Sequence, residues 1–464
     1  MADSVRKQSL QIEEMAEYWP MIHALMGGTK AMRDAGKTFL PQWPNEQEND
    51  YKTRLSVATL FPAYERTISV LCSKPFSRPI TWTDIEDETV KMFDDIDLEG
   101  STLSVFAHDI MCDAMAYGIS GILVDYPSVD GTKTVAEEKK LGLRPYMAKI
   151  KARSILGYSS KRINGVEVMT MLRYVETVTE EDPTDEFTEK VIEQVRVIEP
   201  SRWRVFRKKK AENSLKEEWL LHQEGVNTLG KVPFVPVYGN RTGFMRGKPP
   251  LRDLAFLNVE HWQSKSDQQT ILHVARVPIL FGKCLGDGPI TVGASSAVIA
   301  QNQDADMKFI EHSGKAIAAG REELLDLEDR MRQVGAELLV VKPGRMTVAQ
   351  NRAEDEPGTC ALQRIVQDLE SSFNQAIALL YEWRKRQMTG AINIFNEFGV
   401  SSMTDATAQL LLDMNIANKL SNATLFREIK RRGILGDDAE WETEEALIKK
   451  QPLPPDKSTT LITA

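Results

Sequence analysis

Glu260-His261-Trp262-Gln263-Ser264-Lys265-Ser266-Asp267-Gln268-Gln269 lies in the middle of a segment, Leu251 to about Ala275, that otherwise carries the signals of one long helix. Pro249-Pro250 suit a helix start, and the segment would run about 37 Å at 1.5 Å per residue. A run of this polarity is too wet for a helix buried in an apolar core. Such a helix is expected to sit among copies of itself or to line a solvent-filled space. A turn-rich β segment follows, then a second helix from about Ala318 to Val334, with Leu324, Leu327, Met331 and Val334 at helical spacing and Gly335 as its stop. Its other face holds Glu322, Glu323, Asp326 and Asp329.

Leu338-Leu339-Val340-Val341 reads as a short buried strand. Lys342 to Gly358 reads as a charged loop, with no apolar period and turn residues at both ends. A structureless loop of that length is usually functional or disordered. Leu362, Ile365, Val366, Leu369, Phe373, Ala376, Ile377 and Leu380 then mark one face of a third helix, from Cys360 to about Met388 and about 43 Å long. This order of parts describes a component of an assembly better than a catalytic pocket.

The order resembles that of the portal proteins of tailed bacteriophages, the rings at the capsid vertex through which DNA is packaged and ejected. The N-terminal stretch carries the likeness too, with Met32, Ala35-Gly36, Leu40-Pro41, Glu46, Tyr51, Arg54-Leu55, Tyr64-Glu65-Arg66-Thr67, Leu71 and Lys74-Pro75-Phe76. Together these span most of the chain, from about Trp19 to Gly436. The resemblance implies an α+β subunit: a wing over 1–248, two stem helices over 249–337 with a clip at about 276–317, a strand and tunnel loop over 338–359, a long wing helix over 360–388, a return strand and helical crown over 389–450, and a tail over 451–464. It places Lys342, Arg345, Met346 and Arg352 beside DNA in the tunnel, and Gln301, Asn302, Asp304 and Asp306 in a clip that meets partner proteins. It gives His261, Trp262, Leu324, Leu327 and Met331 to the joined stems.

The implied partners are further copies in a dodecameric ring, the terminase large subunit, a head-tail adaptor, capsid or scaffold proteins, and double-stranded DNA bound non-specifically. The implied location is the virion's capsid vertex, after assembly in the bacterial cytoplasm, with no catalysis, cofactor or metal. The physical reading agrees, since a helix with little apolar face gains burial only from neighbours through a head-to-tail interface. Trp262, its one large anchor, is therefore expected to hold the ring together.

With 464 residues, 42% of them hydrophobic, the chain can bury a sizeable core and exceeds the usual single-domain length. A formal charge of −9 argues against a protein that grips nucleic acid over a broad basic surface. A conduit should have few basic contacts, because each phosphate neutralised adds affinity and holds DNA still. Composition alone favours an ordinary acidic cytoplasmic protein, since most such proteins are acidic. Cys72, Cys112, Cys284 and Cys360 form no paired motif and read as reduced thiols. No secretory h-region or run of eighteen apolar residues is present, so secretion and membrane spanning are not expected.

Residues 10–26 and 51–72 read as helices, the second kinked at Pro62, and Phe106 to Tyr117 as another closed by Gly118. Asn164-Gly165 is a strong hairpin turn, and residues 150–240 read as an antiparallel sheet. Two charged loops punctuate it, the acidic Glu180 to Glu189 and the basic Phe206 to Lys210, a solvated hairpin end whose charges deter edge pairing.

The remaining motifs lack chemistry. Gly243 to Lys248 is one residue short of a phosphate loop, and Pro249-Pro250 remove donors that the cradle needs. Asn302, Asp304 and Asp306 have calcium-loop spacing, but Met307 stands where the glycine should be. Asp94, Asp95 and Asp97 fit a capped acidic turn as well as a magnesium site, and the six histidines have no ligand spacing. An alternative reading is a DNA-binding regulator using the helix pair at 403–432, where Arg427, Lys430, Arg431 and Arg432 cluster. A packaging nuclease or ATPase is disfavoured, because no phosphate loop or acidic metal cluster accompanies it.

Overall fold

The computed structural model describes residues 3–127, 142–182, 185–210, 217–276, 279–283, 304, 306–310, 315–339, 360–396, 405–417, 419–431, 435 and 439–450. Two compact units are formed, Met1–Val340 with Ala361–Asn396, and Val341–Cys360 with Glu397–Ala464.

The first unit opens with helices α1 (Leu10–Ala16), α2 (Trp19–Met26), α3 (Gly28–Ala35), α4 (Glu48–Val57) and α5 (Ala63–Ser73). The kinked helix expected over 51–72 is thus two helices. Pro62 lacks a donor and disfavours helical geometry at Phe61, so the chain leaves the helix at Ala58 and restarts after the proline. Strand β1 (Thr81–Thr83), helix α6 (Asp87–Val90) and helix α7 (Leu103–Tyr117) follow. Thr102 caps α7 by accepting from the Val105 N–H, and Gly118 ends it at φ +91°, as the sequence predicts.

Next come β2 (Ile119–Asp125), β3 (Tyr146–Ile150), β4 (Ile155–Ile163), β5 (Val166–Asp182), β6 (Asp185–Ile198), β7 (Arg202–Lys210), β8 (Glu217–Val226) and β9 (Phe234–Tyr238). They make an antiparallel sheet in the order β3-β2-β9 and a second in the order β4-β5-β6-β7-β8. Asn164 and Gly165 both take positive φ at the β4–β5 turn, the geometry of a tight two-residue hairpin. The stretch expected as an acidic loop, Glu180 to Glu189, is instead paired strand on both sides of Pro183-Thr184. The basic run is likewise strand, with Lys208, Lys209 and Lys210 opposite Trp219, Glu218 and Glu217.

After the short ribbon β10 (Arg241–Gly243) and β11 (Arg246–Gly247) comes α8 (Arg252–Ala275), then β12 (Ile279–Lys283), β13 (Asp306–Ile310), α9 (Lys315–Ala336) and α10 (Ala361–Trp383). The expected strand at 338–341 is not seen where described: Glu337–Leu339 continues α9 as a 3-10 turn. Gly335 is not a stop either. It lies inside α9, where a Cβ would come within 3.1 Å of the Thr67 side chain, so the glycine serves close packing on α5. The predicted face of α10 is buried as expected, from Leu362 to Leu380, against β2 and β9. The helix ends at Trp383, short of Met388, where Lys385 turns to φ +56°. Its Asn374 both donates to and accepts from Ile392, docking β14 (Ala391–Asn393) against it, and β14 pairs with β1.

The second unit contains α11 (Asp405–Ile416), α12 (Asn422–Arg431) and α13 (Trp441–Lys450). Phe426 meets Trp441 edge to face at 5.6 Å, joining α12 to α13.

A Cβ at Gly118 would lie 2.6 Å from the carbonyl carbon of Lys248. Gly118→Ala is expected to cost about 1–3 kcal/mol from the left-handed backbone alone, and more from this overlap. The urea midpoint measures it, and an unchanged midpoint would show that the α7–β2 junction is not constrained in this way.

Candidate assembly site: the α8–α9 helix pair

Helices α8 and α9 pack side by side, and the ribbon β12–β13 joins them in register from Ile279↔Ile310 to Lys283↔Asp306. The polar run of α8 has found partners inside its own subunit. Asn258, fully buried, accepts from the Tyr64 N–H at 3.0 Å and donates to the Phe61 carbonyl at 2.8 Å. Gln263 donates to the Phe39 carbonyl at 3.0 Å. Toward α9, Ser264 donates to Glu323 at 3.0 Å and Gln268 to the Ile317 carbonyl at 2.9 Å. Gly320 makes room for the second bond, since a Cβ there would fall 2.2 Å from the Gln268 side-chain oxygen.

Arg54 of α4 reaches the same helix. Its Nε and Nη2 donate to the two Glu46 carboxylate oxygens at 2.8 Å each, and Nη2 also donates to the Pro41 carbonyl at 2.7 Å. Nη1 points at Ser266 Oγ (3.5 Å) and Asp267 (4.0 Å), while the guanidinium plane lies 4.2 Å from the Trp43 ring. Both charged side chains are buried, at 4% and 6% exposure. Hydrogen bonding to Arg54 holds the Glu46 carboxyl below its usual range.

These findings correct the expectation for Trp262. It is fully buried, and His261 is 2% exposed, in a subunit with no neighbour. Helix α8 packs against α2, α4, α5 and α9 of its own chain, so its polarity reflects hydrogen-bonded burial and does not require copies of itself. Leu327 and Met331 of α9 are also buried within the subunit and Leu324 is half-buried. The face of Glu322, Glu323, Asp326 and Asp329 is exposed as predicted, with Leu325 on it at 52%.

Of the residues that carry the N-terminal resemblance, Glu46, Arg54 and Tyr64 belong to the bracket that meets α8. Met32, Leu40, Tyr51, Arg54, Tyr64 and Leu71 are all buried. Sequence reasoning missed Asn258 and Gln268 as the bonds that fix the pair. The amides at 258, 263 and 268 are visible in the sequence, but a buried amide cannot be told from a solvated one without knowing its partners.

Of the clip residues, Asp306 begins β13 opposite Lys283 and Asp304 lies two residues before it, while Gln301 and Asn302 fall outside the described residues. Lys342, Arg345, Met346 and Arg352 fall outside them too, as does the tail from Gln451. Gly243 to Lys248 is part of the β10–β11 turn. Asp95 and Asp97 accept backbone N–H groups of Glu99, Gly100 and Ser101, a capped turn. Among the described residues no group of three or more His, Cys, Asp and Glu could hold a metal ion, and no helix is long and apolar enough to cross a membrane. In the second unit Lys430 donates to the Ala439 carbonyl at 2.7 Å and Arg427 to Thr424, which engages two of the four cations of the alternative DNA-reading pair within that unit.

Residues 250–384 match a family model described as a domain of unknown function, DUF4055. The match begins just before α8 and ends one residue after α10. No curated protein matches the chain. Solved structures similar to it include a chain of the virion of the native gene transfer agent (GTA) particle, at 11% identity and TM-score 0.39, over 78% of this chain and 88% of that one. Another is in the neck of the empty GTA particle computed with C6 symmetry, at 9% identity and TM-score 0.39, over 84% and 90%. A third is in the neck of the native GTA particle computed with C12 symmetry, at 11% identity and TM-score 0.36, over 81% and 89%.

Arg54→Met would leave the Glu46 carboxylate buried without its partner, and is expected to cost about 3–5 kcal/mol of subunit stability. Chemical unfolding of the variant measures this, and a loss under 1 kcal/mol would overturn the bracket's role.

Burial pushes the His261 imidazole below its ordinary value of 6.5, Lys265 adds to this, and Glu328, 3.6 Å from Nε2, opposes it. A histidine so depressed is neutral in the fold and binds a proton more readily once unfolded. Its contribution is therefore complete above pH 6.5 and is lost as the pH falls below that value. His261→Gln should flatten the decline of the urea midpoint between about pH 7.5 and 5.5. Identical slopes for the variant and the wild type would exclude His261 as the titrating group.

Proposed function

We propose that this chain is the non-enzymatic subunit of a portal, a ring at the capsid vertex of a phage-like particle that conducts DNA during packaging and ejection. The observation that carries the proposal is the α8–α9 pair: two long helices joined by a ribbon and held by the N-terminal residues through which the sequence resembles portal proteins. Helices of 24 and 22 residues are about 36 and 33 Å long, a length that suits the wall of a channel. The acidic outer face of α9 suits such a wall as well, since carboxylates repel phosphates and let DNA slide.

In this reading α8 and α9 are the stem, the segment between them the clip, and α11 to α13 the crown. The clip, with Gln301, Asn302, Asp304 and Asp306, docks the terminase large subunit and later the head-tail adaptor. Capsid or scaffold proteins surround the ring, which is a dodecamer. Lys342, Arg345, Met346 and Arg352 touch passing DNA from the tunnel loop. Subunits join through surfaces other than Trp262, because that side chain is already enclosed.

Negative-stain images of the purified protein are expected to show rings with a central hole. Replacing Gln301 to Met307 with a Gly/Ser linker should leave those rings intact and abolish terminase binding in a pull-down. Particles without a hole would overturn the portal reading, and a linker variant that no longer folds would place the segment in the core instead.

A further inference from the structure

Two cavities of the first unit adjoin at the end of α10. One, of about 160 Å³, has Trp203, Pro127 and Pro233 in its wall, and the other, of about 470 Å³, has Pro145, Arg144 and Lys385. Tyr126, Thr228 and Trp383 line both, and the rings of Tyr126 and Trp383 stand 5.9 Å apart between centres. Trp383 is fixed there, because its Nε1–H donates to the Val124 carbonyl at 3.1 Å. The result is a groove with an aromatic end and a basic end.

At the aromatic end the charges are already matched. Arg196 donates to Asp125 at 2.8 Å and lies 5.4 Å from the Trp203 ring, so this end offers rings and prolines to a ligand. At the basic end Arg384 and Arg386 pair with Glu88 and Glu86, and Arg144 pairs with Asp95. Lys385 stands between the two paired arginines at φ +56°, exposed, and makes no ion pair among the described residues. Aromatic grooves of this kind take polyproline-II segments, which need no hydrogen bonds of their own and lose little entropy on docking. A carboxylate next to the prolines would meet Lys385.

The chain carries such a segment directly after α13: Gln451-Pro452-Leu453-Pro454-Pro455-Asp456. A polyproline-II rise puts Asp456 about 6 Å beyond Pro454, one short step from a ring-bound proline to a carboxylate. We propose that the groove takes residues 452–456 of a second copy, with the prolines against Trp203, Tyr126 and Trp383 and Asp456 beside Lys385. This rests on the ring reading above. Gln451 alone separates α13 from the first proline, and a residue before proline disfavours helix, so a stiff run there is suited to reach outward from the unit that carries it. Copies held side by side in a ring give each groove a tail at high local concentration.

The test is photo-cross-linking of the full chain with Leu453→p-benzoylphenylalanine, read by mass spectrometry. Irradiation should join residue 453 to peptides that hold Tyr126, Trp203 or Trp383. In rings assembled from an equal mixture of isotopically heavy and light chains, about half of the joined pairs should be heavy with light. Pro452, Pro454 and Pro455 changed together to Ser should lower the yield at least about fivefold, and Lys385→Glu about threefold. Adding Asp456→Lys to Lys385→Glu should restore most of it, because the attraction returns with its sign reversed. The same probe at Ser458 replaces the first should its bulk at 453 exclude the tail, and should join the peptide that holds Lys385. Cross-links confined to single chains would overturn the second copy as the source. Cross-links only outside the groove, or yields unmoved by the proline changes, would overturn the groove and leave the ring reading intact. A wild type that stays monomeric at every concentration would overturn the ring reading and this contact with it.

Discussion

The buried pair of Arg54 and Glu46 ties the N-terminal helices to the α8–α9 pair. One guanidinium bonds both oxygens of Glu46, the Pro41 carbonyl and the α8 side, and stacks on Trp43. Lysine could not take its place, because only a planar fork can meet a carboxylate in two places while a third direction remains for α8. The desolvation cost of such a pair offsets much of its attraction. Its consequence is therefore geometric: residues 41–54 are set in one arrangement, with the guanidinium facing Ser266 and Asp267 of α8.

From that clamp the rest of the seam follows. With Ser266 and Asp267 set toward Arg54, the turns of α8 bring Asn258 onto the α4–α5 connection and Gln268 onto the start of α9. Each amide replaces water with backbone groups, so a polar helix is buried at little cost. Two side-chain nitrogens inside the seam, His261 Nδ1 and Trp262 Nε1, have no hydrogen-bond partner. A helix pair closed in this way presents Glu322, Glu323, Asp326 and Asp329 on its exterior.

The charge of the chain is distributed with the same logic. The single formal value of −9 covers an acidic stretch at 180–189 and a mixed one, in which Lys209 and Lys210 lie opposite Glu218 and Glu217. The β3-β2-β9 sheet is covered by α7 and α10, and in the larger sheet Trp219 is buried with Leu156, Val195 and Val197.

The sequence by itself determined the long helices, the Gly118 stop, the Asn164-Gly165 hairpin, the antiparallel region and the inward face of α10. Each rests on a local rule, whether a residue period or a turn that needs positive φ, and local rules are legible without contacts. Tertiary structure alone decided what the polar run of α8 means. Water and a backbone carbonyl are equivalent partners for an amide side chain, so Asn258 and Gln268 look solvated until the bracket is in place. For the same reason Trp262 could be assigned to a neighbour's surface, and Gly335 to a helix end, when each answers to a distant part of its own chain. The two charge runs were misread as loops as well, because only the strand register shows which backbones they pair with.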